Sequence, residues 1–325
     1  MLLTLNGDET GIIEAASAFL EGVIPLARLH RTAAAADLGD DTRRHMAELG
    51  WFGITLPAEL GGSGLSSVEH VLFFREVGRR CGPLDILAQN LAAMVASDAA
   101  SRNALLEGRT FVALAVPDSE DLRILGRPDA PLAVQVTADG ARLIDLSRAT
   151  FEQRPSLDPA VSMRMLRPAV LRVTTVCVDR DVGRLARLGA AAMLLGLAEA
   201  ALDLIVEYAK VRQTFGRPIG AYQAVRHPCA DMALRAEAAR CQLWFAAAAM
   251  KGRRRDVDAH IDAAKHLANE AAVMNADVDI QLHGGIGVTD EHDAHLLLKH
   301  ALLLSRVFGS KRALLANLLE ALVED

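Results

Sequence analysis

A chain of 325 residues is long enough for two or three domain-sized units with packed cores. Its formal charge of -6, with Lys251–Arg255 as the densest basic run, excludes a nucleic-acid or anionic-membrane surface as the main partner. Ala and Leu dominate a 51% hydrophobic content that holds only 4% aromatics, a mixture suited to long, close-packed helices. Cys81, Cys177, Cys229 and Cys241 form neither a CxxC pair nor a zinc-ligand spacing with histidine, so a reduced, cytoplasmic setting is expected, without a metal. The start MLLTLNGDETGII lacks a basic signal-like region, and no stretch of about 18 uncharged apolar residues suits a membrane span.

From Asp8 to about Glu107 the text predicts helices joined by turns. GIIEAASAFLEGVIPLARLH has apolar residues at helical spacing, and DDTRRHMAELGWFGI opens on acidic residues that suit a helix N-terminus. PAELGGSGLSSVEHVLFFREVGRR breaks at a Gly-rich turn, then restarts with Ser66 and Ser67 as N-cap candidates and Glu69 in the first turn. Between Thr110 and about Arg180 the segments FVALAV, LAVQVTA, ARLIDL and VLRVTTVCV are short, rich in strand formers and separated by Pro, Asp and Gly. The helical period returns at Asp181. One helix is expected to end near Gly216, a second to follow Ala221, a third to lie around Asp258–Gln281, and a fourth to run from about Glu291 to Leu322. The expected fold is mainly α with a small central β domain: an N-terminal helical domain over 1–109, a shortened middle β domain over 110–180, and a C-terminal four-helix bundle over 181–325.

Three stretches carry a resemblance. ELGWFGITLPAELGGSGLSSVEHVLFFREVGR, EYAKVRQTFGRPIGAYQAVRHPCADM and QLHGGIGVTDEH are similar, in this order, to signatures of the acyl-CoA dehydrogenases, over nearly the whole chain. That resemblance implies FAD as cofactor and an acyl-CoA thioester as substrate. It also implies that Arg212, Phe215 and, eleven positions after Arg212, Gln223 contact the dinucleotide. A guanidinium suits a pyrophosphate because its fork donates paired, charge-assisted hydrogen bonds. Gln281, Leu282, His283, Gly284 and Gly285 would continue the contact, the glycines permitting close backbone approach, with Ser310 completing the set. In the family these groups reach the flavin of a neighbouring subunit, so a dimer or tetramer is implied. From the residues alone, His227, His283, His292, His295 and His300 read as packing or surface groups rather than metal ligands.

The resemblance fails where the chemistry should be. The family removes the α-proton with a carboxylate while the flavin accepts the β-hydride. The usual base position, 27 residues after Gln281, holds Phe308, followed by Gly309 and Ser310. The alternate position, just before Arg187, holds Ala186. Neither side chain accepts a proton. The stretches ALAVPDSEDLRILG and ARLIDLSRATF stand where the family cradles the flavin ring from its own subunit, with only a faint echo in Val116, Pro117, Asp118 and Ser119. The expectation is a subunit that lacks the catalytic Glu and completes the FAD site of a second, complete acyl-CoA dehydrogenase subunit, with an electron-transferring flavoprotein as acceptor. The alternatives are a homomeric enzyme with a displaced base, drawn from Glu199, Asp203, Glu207, Asp290 and Glu291, or a non-catalytic scaffold.

Overall fold

The computed structural model describes residues 5–30, 38–167 and 171–321. The chain folds into two compact units, one drawn from segments 1–30, 71–81 and 188–325, the other from 31–70 and 82–187.

The second unit contains a seven-stranded sheet. Its strands are β1 (Val112–Asp118), β2 (Asp121–Leu125), β3 (Leu132–Thr137), β4 (Gly140–Asp145), β5 (Phe151–Arg154), β6 (Met163–Leu166) and β7 (Arg172–Cys177), in the order β5-β6-β2-β1-β3-β4-β7. All neighbours are antiparallel except β1 and β3. Alternate positions Ala113, Ala115, Ile124, Ala133 and Ile144 form one buried face, the period-2 pattern that strand-forming text produces. β1 and β2 are joined by Ser119 and Glu120 alone, with Ser119 at φ 55°.

Helices of this unit include α2 (Asp40–Glu48), α4 (Asp85–Val95) and α5 (Ala99–Leu106). Every residue of α4 except Met94 is buried, so its polar side chains need internal partners. Asp85 pairs with Arg43 at 2.7 Å, Gln89 donates to the Leu105 and Thr110 carbonyls at 2.7 and 2.8 Å, and Asn90 donates to the Trp51 carbonyl at 2.8 Å. Asp98 caps α5 by accepting from the Ser101 amide.

The first unit is helical. α1 (Gly7–Val23) opens with a capping box between Asn6 and Glu9. α3 (Ser67–Arg79), of which 71–79 belong to this unit, starts as expected, with Ser66 and Glu69 bonded to each other across its first turn. α6 (Arg180–Val211), α7 (Gln223–Lys251), α8 (Val257–His283), α9 (Ala294–Leu304) and α10 (Lys311–Ala321) follow. α6 is long and apolar enough to cross a membrane by composition, but 67% of its most apolar 18-residue window is buried inside the protein, as for a core helix. Asn275 on α8 ties three helices together. It donates to the Ala198 and Met232 carbonyls at 3.1 and 3.0 Å and accepts from Arg235 at 2.9 Å. α8 packs against α7, α9 and α10.

Two expected boundaries are corrected. The first helix stops at Val211, not near Gly216, because Phe215 and Gly216 take φ values of 49° and 77°. Both positive values close a two-residue turn between the short strands β8 (Gln213–Thr214) and β9 (Arg217–Pro218). The single fourth helix is two, since Phe308 at φ 57° and Gly309 at φ 130° cannot continue an α-helix. The expected end of that helix at Leu322 lies outside the described residues.

Candidate cofactor site

The end of α6 and the end of α8 both lie in the first unit, and one buried ring joins them. Tyr208 is one turn before Arg212, whose backbone amide donates to the Tyr208 carbonyl at 2.9 Å. The Tyr208 ring lies 4.4 Å from that of His283, the last residue of α8. The sequence stretches RQTFG and QLHGG are therefore neighbours, although 64 residues part them along the chain.

Beyond Tyr208, Arg212 is exposed and makes no ion pair among the described residues. Its carbonyl accepts from the Ile219 amide at 2.8 Å, which closes the β8–β9 hairpin at its base. Phe215 stands at the tip, 97% exposed. Tyr222 steadies the hairpin by donating its hydroxyl to the Thr214 carbonyl at 2.9 Å, while the Arg217 guanidinium lies 4.1 Å from its ring. Gln223 is exposed as the first residue of α7.

At the other element, Gln281 is exposed on the last turn of α8 and Leu282 is half-buried. Gly284 ends the helix at φ 69° and ψ −145°, a conformation that excludes ordinary side chains. Gly285 has no such backbone demand, and a Cβ there would meet nothing within 4 Å. Nothing in the chain's own packing requires glycine at 285. The open space beside an exposed backbone suits a group from outside the chain.

His283 differs from its neighbours because its side chain is 0% exposed. Its Nδ1 donates to the Asp279 carbonyl at 2.8 Å and lies 2.9 Å from the Asp279 carboxylate, itself fully buried. Burial alone pulls the His283 imidazolium down, yet the Asp279 groups outweigh it and hold the ring above the ordinary histidine value. Burial pushes the Asp279 carboxyl up. His292 lies 4.3 Å from the His283 ring, and its pKa is lowered by burial and by the charge on His283. The resemblance placed His283 among the dinucleotide-contacting residues, and the residues alone read both histidines as packing or surface groups. Neither gave a sign of the Asp279 partnership, which needs the four-residue helical spacing and burial together.

The two base positions are apolar in the structure as well. Ala186 is fully buried on α6. Phe308 is half-buried in the turn between α9 and α10, followed by Ser310, whose hydroxyl accepts from the Ala313 amide at 3.4 Å. That turn is held from α8. Lys265, 0% exposed, donates to Asn269 at 2.6 Å and to the Leu304 carbonyl at 3.3 Å, and Asn269 reaches the Gly309 carbonyl at 3.5 Å.

Three of the five alternative bases are held in ion pairs. Glu199 pairs with Arg75 at 2.6 Å and Arg79 at 3.3 Å, Asp203 with Arg79 at 2.5 Å, and Glu207 with Lys210 at 2.5 Å. The Asp290 carbonyl accepts from His30 at 2.7 Å, and Glu291 is exposed. In the second unit, the echo at Val116–Ser119 is spent on the β1–β2 hairpin, and Asp145 of the other stretch pairs with Arg172 at 3.2 Å.

Residues 6–103 match the family model of the acyl-CoA dehydrogenase N-terminal domain, and residues 184–323 match that of the C-terminal domain. The chain belongs to the acyl-CoA dehydrogenase family, whose cofactor is FAD. Acyl-CoA dehydrogenase IpdE2 of Mycobacterium tuberculosis is 32% identical over 297 residues, 89% of each chain. Acyl-CoA dehydrogenase FadE34 of the same organism is 33% identical over 275 residues, which cover 79% of this chain but 38% of that protein. A variant of the Tcur3481-Tcur3483 steroid ACAD superposes over 99% of both chains with a TM-score of 0.81 at 25% identity. The ChsE4-ChsE5 complex from Mycobacterium tuberculosis gives a TM-score of 0.82 over the full length of both chains at 20% identity, a likeness of fold.

Proposed function

We propose that this chain is the base-lacking subunit of a heteromeric acyl-CoA dehydrogenase and completes the FAD site of a partner subunit. One observation carries the reading. An exposed Arg212 with no ion pair among the described residues and an uncrowded glycine pair stand on adjoining elements, while both base positions hold groups that cannot take a proton. Arg212, Gln223 and Gln281 supply donors for the dinucleotide's phosphates and adenosine part, and Gly284 and Gly285 let it approach the backbone. Phe215, at a turn tip with almost no intrachain contact, covers the cofactor or its partner subunit. When bound, FAD would supply the hydride acceptor for desaturation of an acyl-CoA between its α and β carbons. This chain's residues hold and orient the cofactor. The carboxylate that takes the α-proton comes from the partner.

The relatives support a steroid-type thioester as the acyl class, since the Tcur3481-Tcur3483 protein is described as a steroid ACAD. An electron-transferring flavoprotein serves as acceptor, and the assembly is cytoplasmic. Co-expression with an acyl-CoA dehydrogenase chain from the same gene cluster tests the proposal. The expected outcome is flavin binding and steroid acyl-CoA turnover that neither chain shows alone. Arg212→Ala in this chain should lower the flavin content of the assembly about tenfold, through the loss of a charge-assisted pair. Full turnover by this chain on its own refutes the reading.

A further inference from the structure

The His283 ring is buried, so its contribution to a nucleotide site cannot be direct contact. We infer that His283 is a positioning residue that locks the two cofactor-completing segments, RQTFG and QLHGG, against each other; this rests on the cofactor reading above. Four contacts meet at this one side chain. Asp279 fixes the ring from below through its carbonyl at 2.8 Å and its carboxylate at 2.9 Å. Tyr208 lies against it from α6, with 4.4 Å between ring centroids and a tilt of 39°. His292, from the segment beyond the glycines, closes on it at 4.3 Å. Gly287 packs onto its root so tightly that a Cβ at 287 would come within 2.9 Å of the His283 Cβ.

The consequence runs along the chain in both directions. Upstream, Tyr208 carries Arg212 through a backbone hydrogen bond one turn later. Downstream, Gly284 is the next residue, and the turn Gly284–Val288 folds over the ring. Gly284 and Gly285 have no side chains to hold them, so the backbone that must face the nucleotide is fixed only by what its neighbours grip. The chain spends a buried, paired carboxylate and imidazole at this point, where a phenyl ring would fill the same space without a buried carboxylate to satisfy. The dyad sets the ring's rotation: with Nδ1 committed to Asp279, the ring has one orientation between Tyr208 and His292. The elevated imidazolium pKa agrees with that commitment.

The test separates hydrogen bond from bulk. His283→Phe keeps a ring for Tyr208 and His292 but removes the Nδ1 donor to the Asp279 carbonyl and leaves the buried Asp279 carboxylate without its ion-pair partner. His283→Asn keeps a donor at the Nδ1 position. In the full-length chain, hydrogen exchange of the 284–289 amides should quicken about tenfold or more in the Phe variant and stay near wild type in the Asn variant, the cost of one unsatisfied buried acceptor. In the co-expressed assembly stripped of flavin, ADP, the anionic half of the dinucleotide, should lose affinity about tenfold with the Phe variant and recover with Asn. Should the Phe variant fail to fold, Tyr208→Leu removes the contact from the half-buried α6 side and should weaken ADP similarly. Exchange and ADP affinity unchanged in the Phe and Leu variants overturn the positioning role. A co-expressed wild-type assembly in which the exchange contrast with His283→Phe holds yet no flavin or ADP binds overturns the cofactor reading and leaves the positioning role standing.

Discussion

At the scale of single residues, Lys265 is where burial and charge conflict most plainly. Its amine has no solvent and only neutral acceptors, and burial lowers its pKa to about 7 from an ordinary 10.5. Between those values the unfolded chain holds a proton that the native chain does not, so folding stability falls as pH drops from 10.5 toward 7. The wild type should therefore gain up to about 1.4 kcal/mol per pH unit over that window relative to Lys265→Met. Urea midpoints at pH 7, 8 and 9 measure it, and parallel curves for the two proteins would show that the amine stays charged inside. The sequence offered some candidate site residues and hid other contacts. Arg212, Gln223 and the glycine pair stood out as candidates through the family resemblance, which rests on motifs contiguous in the text. His283 was legible only as a histidine in a motif. Its partners Tyr208 and His292 come from elements that meet only after folding.

At the scale of elements, the crossing of α3 and α6 in the first unit depends on two glycines. A Cβ on Gly196 would sit 2.1 Å from the Arg75 carbonyl oxygen, and one on Gly78 would sit 2.0 Å from that of Met193. Backbone faces backbone, so neither side can yield by rotating a side chain. Gly196→Ala should cost about 3 kcal/mol or more, visible as a fall in melting temperature, whereas Gly285→Ala should leave the melting temperature of the chain unchanged because its Cβ meets open space. A Gly196→Ala variant as stable as wild type would mean that the helices separate freely. The start of α7 and both ends of α8 were readable from the 3.6-residue period to within about two residues. The break between α9 and α10 was not, because the apolar text LLLKHALLLSRVF leads into LLANLL with Gly309 as its only mark. What keeps α10 from continuing α9 is a positive-φ pair at Phe308 and Gly309, in a turn gripped from α8 by Lys265 and Asn269. Long-range contacts of that kind leave no periodic trace.

At the scale of the whole molecule, composition reads along the chain and yields contiguous zones, while the units are discontinuous: residues 71–81 join the C-terminal helices. The first unit leaves Val211, Phe215, Leu302, Leu315 and Leu319 exposed at 73, 97, 38, 37 and 66%. Exposed apolar groups of this size on a helical unit suit burial against another subunit. The chain should therefore be an oligomer in solution, and the native mass of the co-expressed assembly should match two copies each of this chain and its partner. The central claim is that this chain completes a cofactor site and removes no proton. Counting flavin per polypeptide in the purified assembly tests it most directly. The account predicts one FAD for every two chains and none retained by this chain alone; one FAD per chain, or this chain alone holding flavin and oxidising an acyl-CoA, would contradict it.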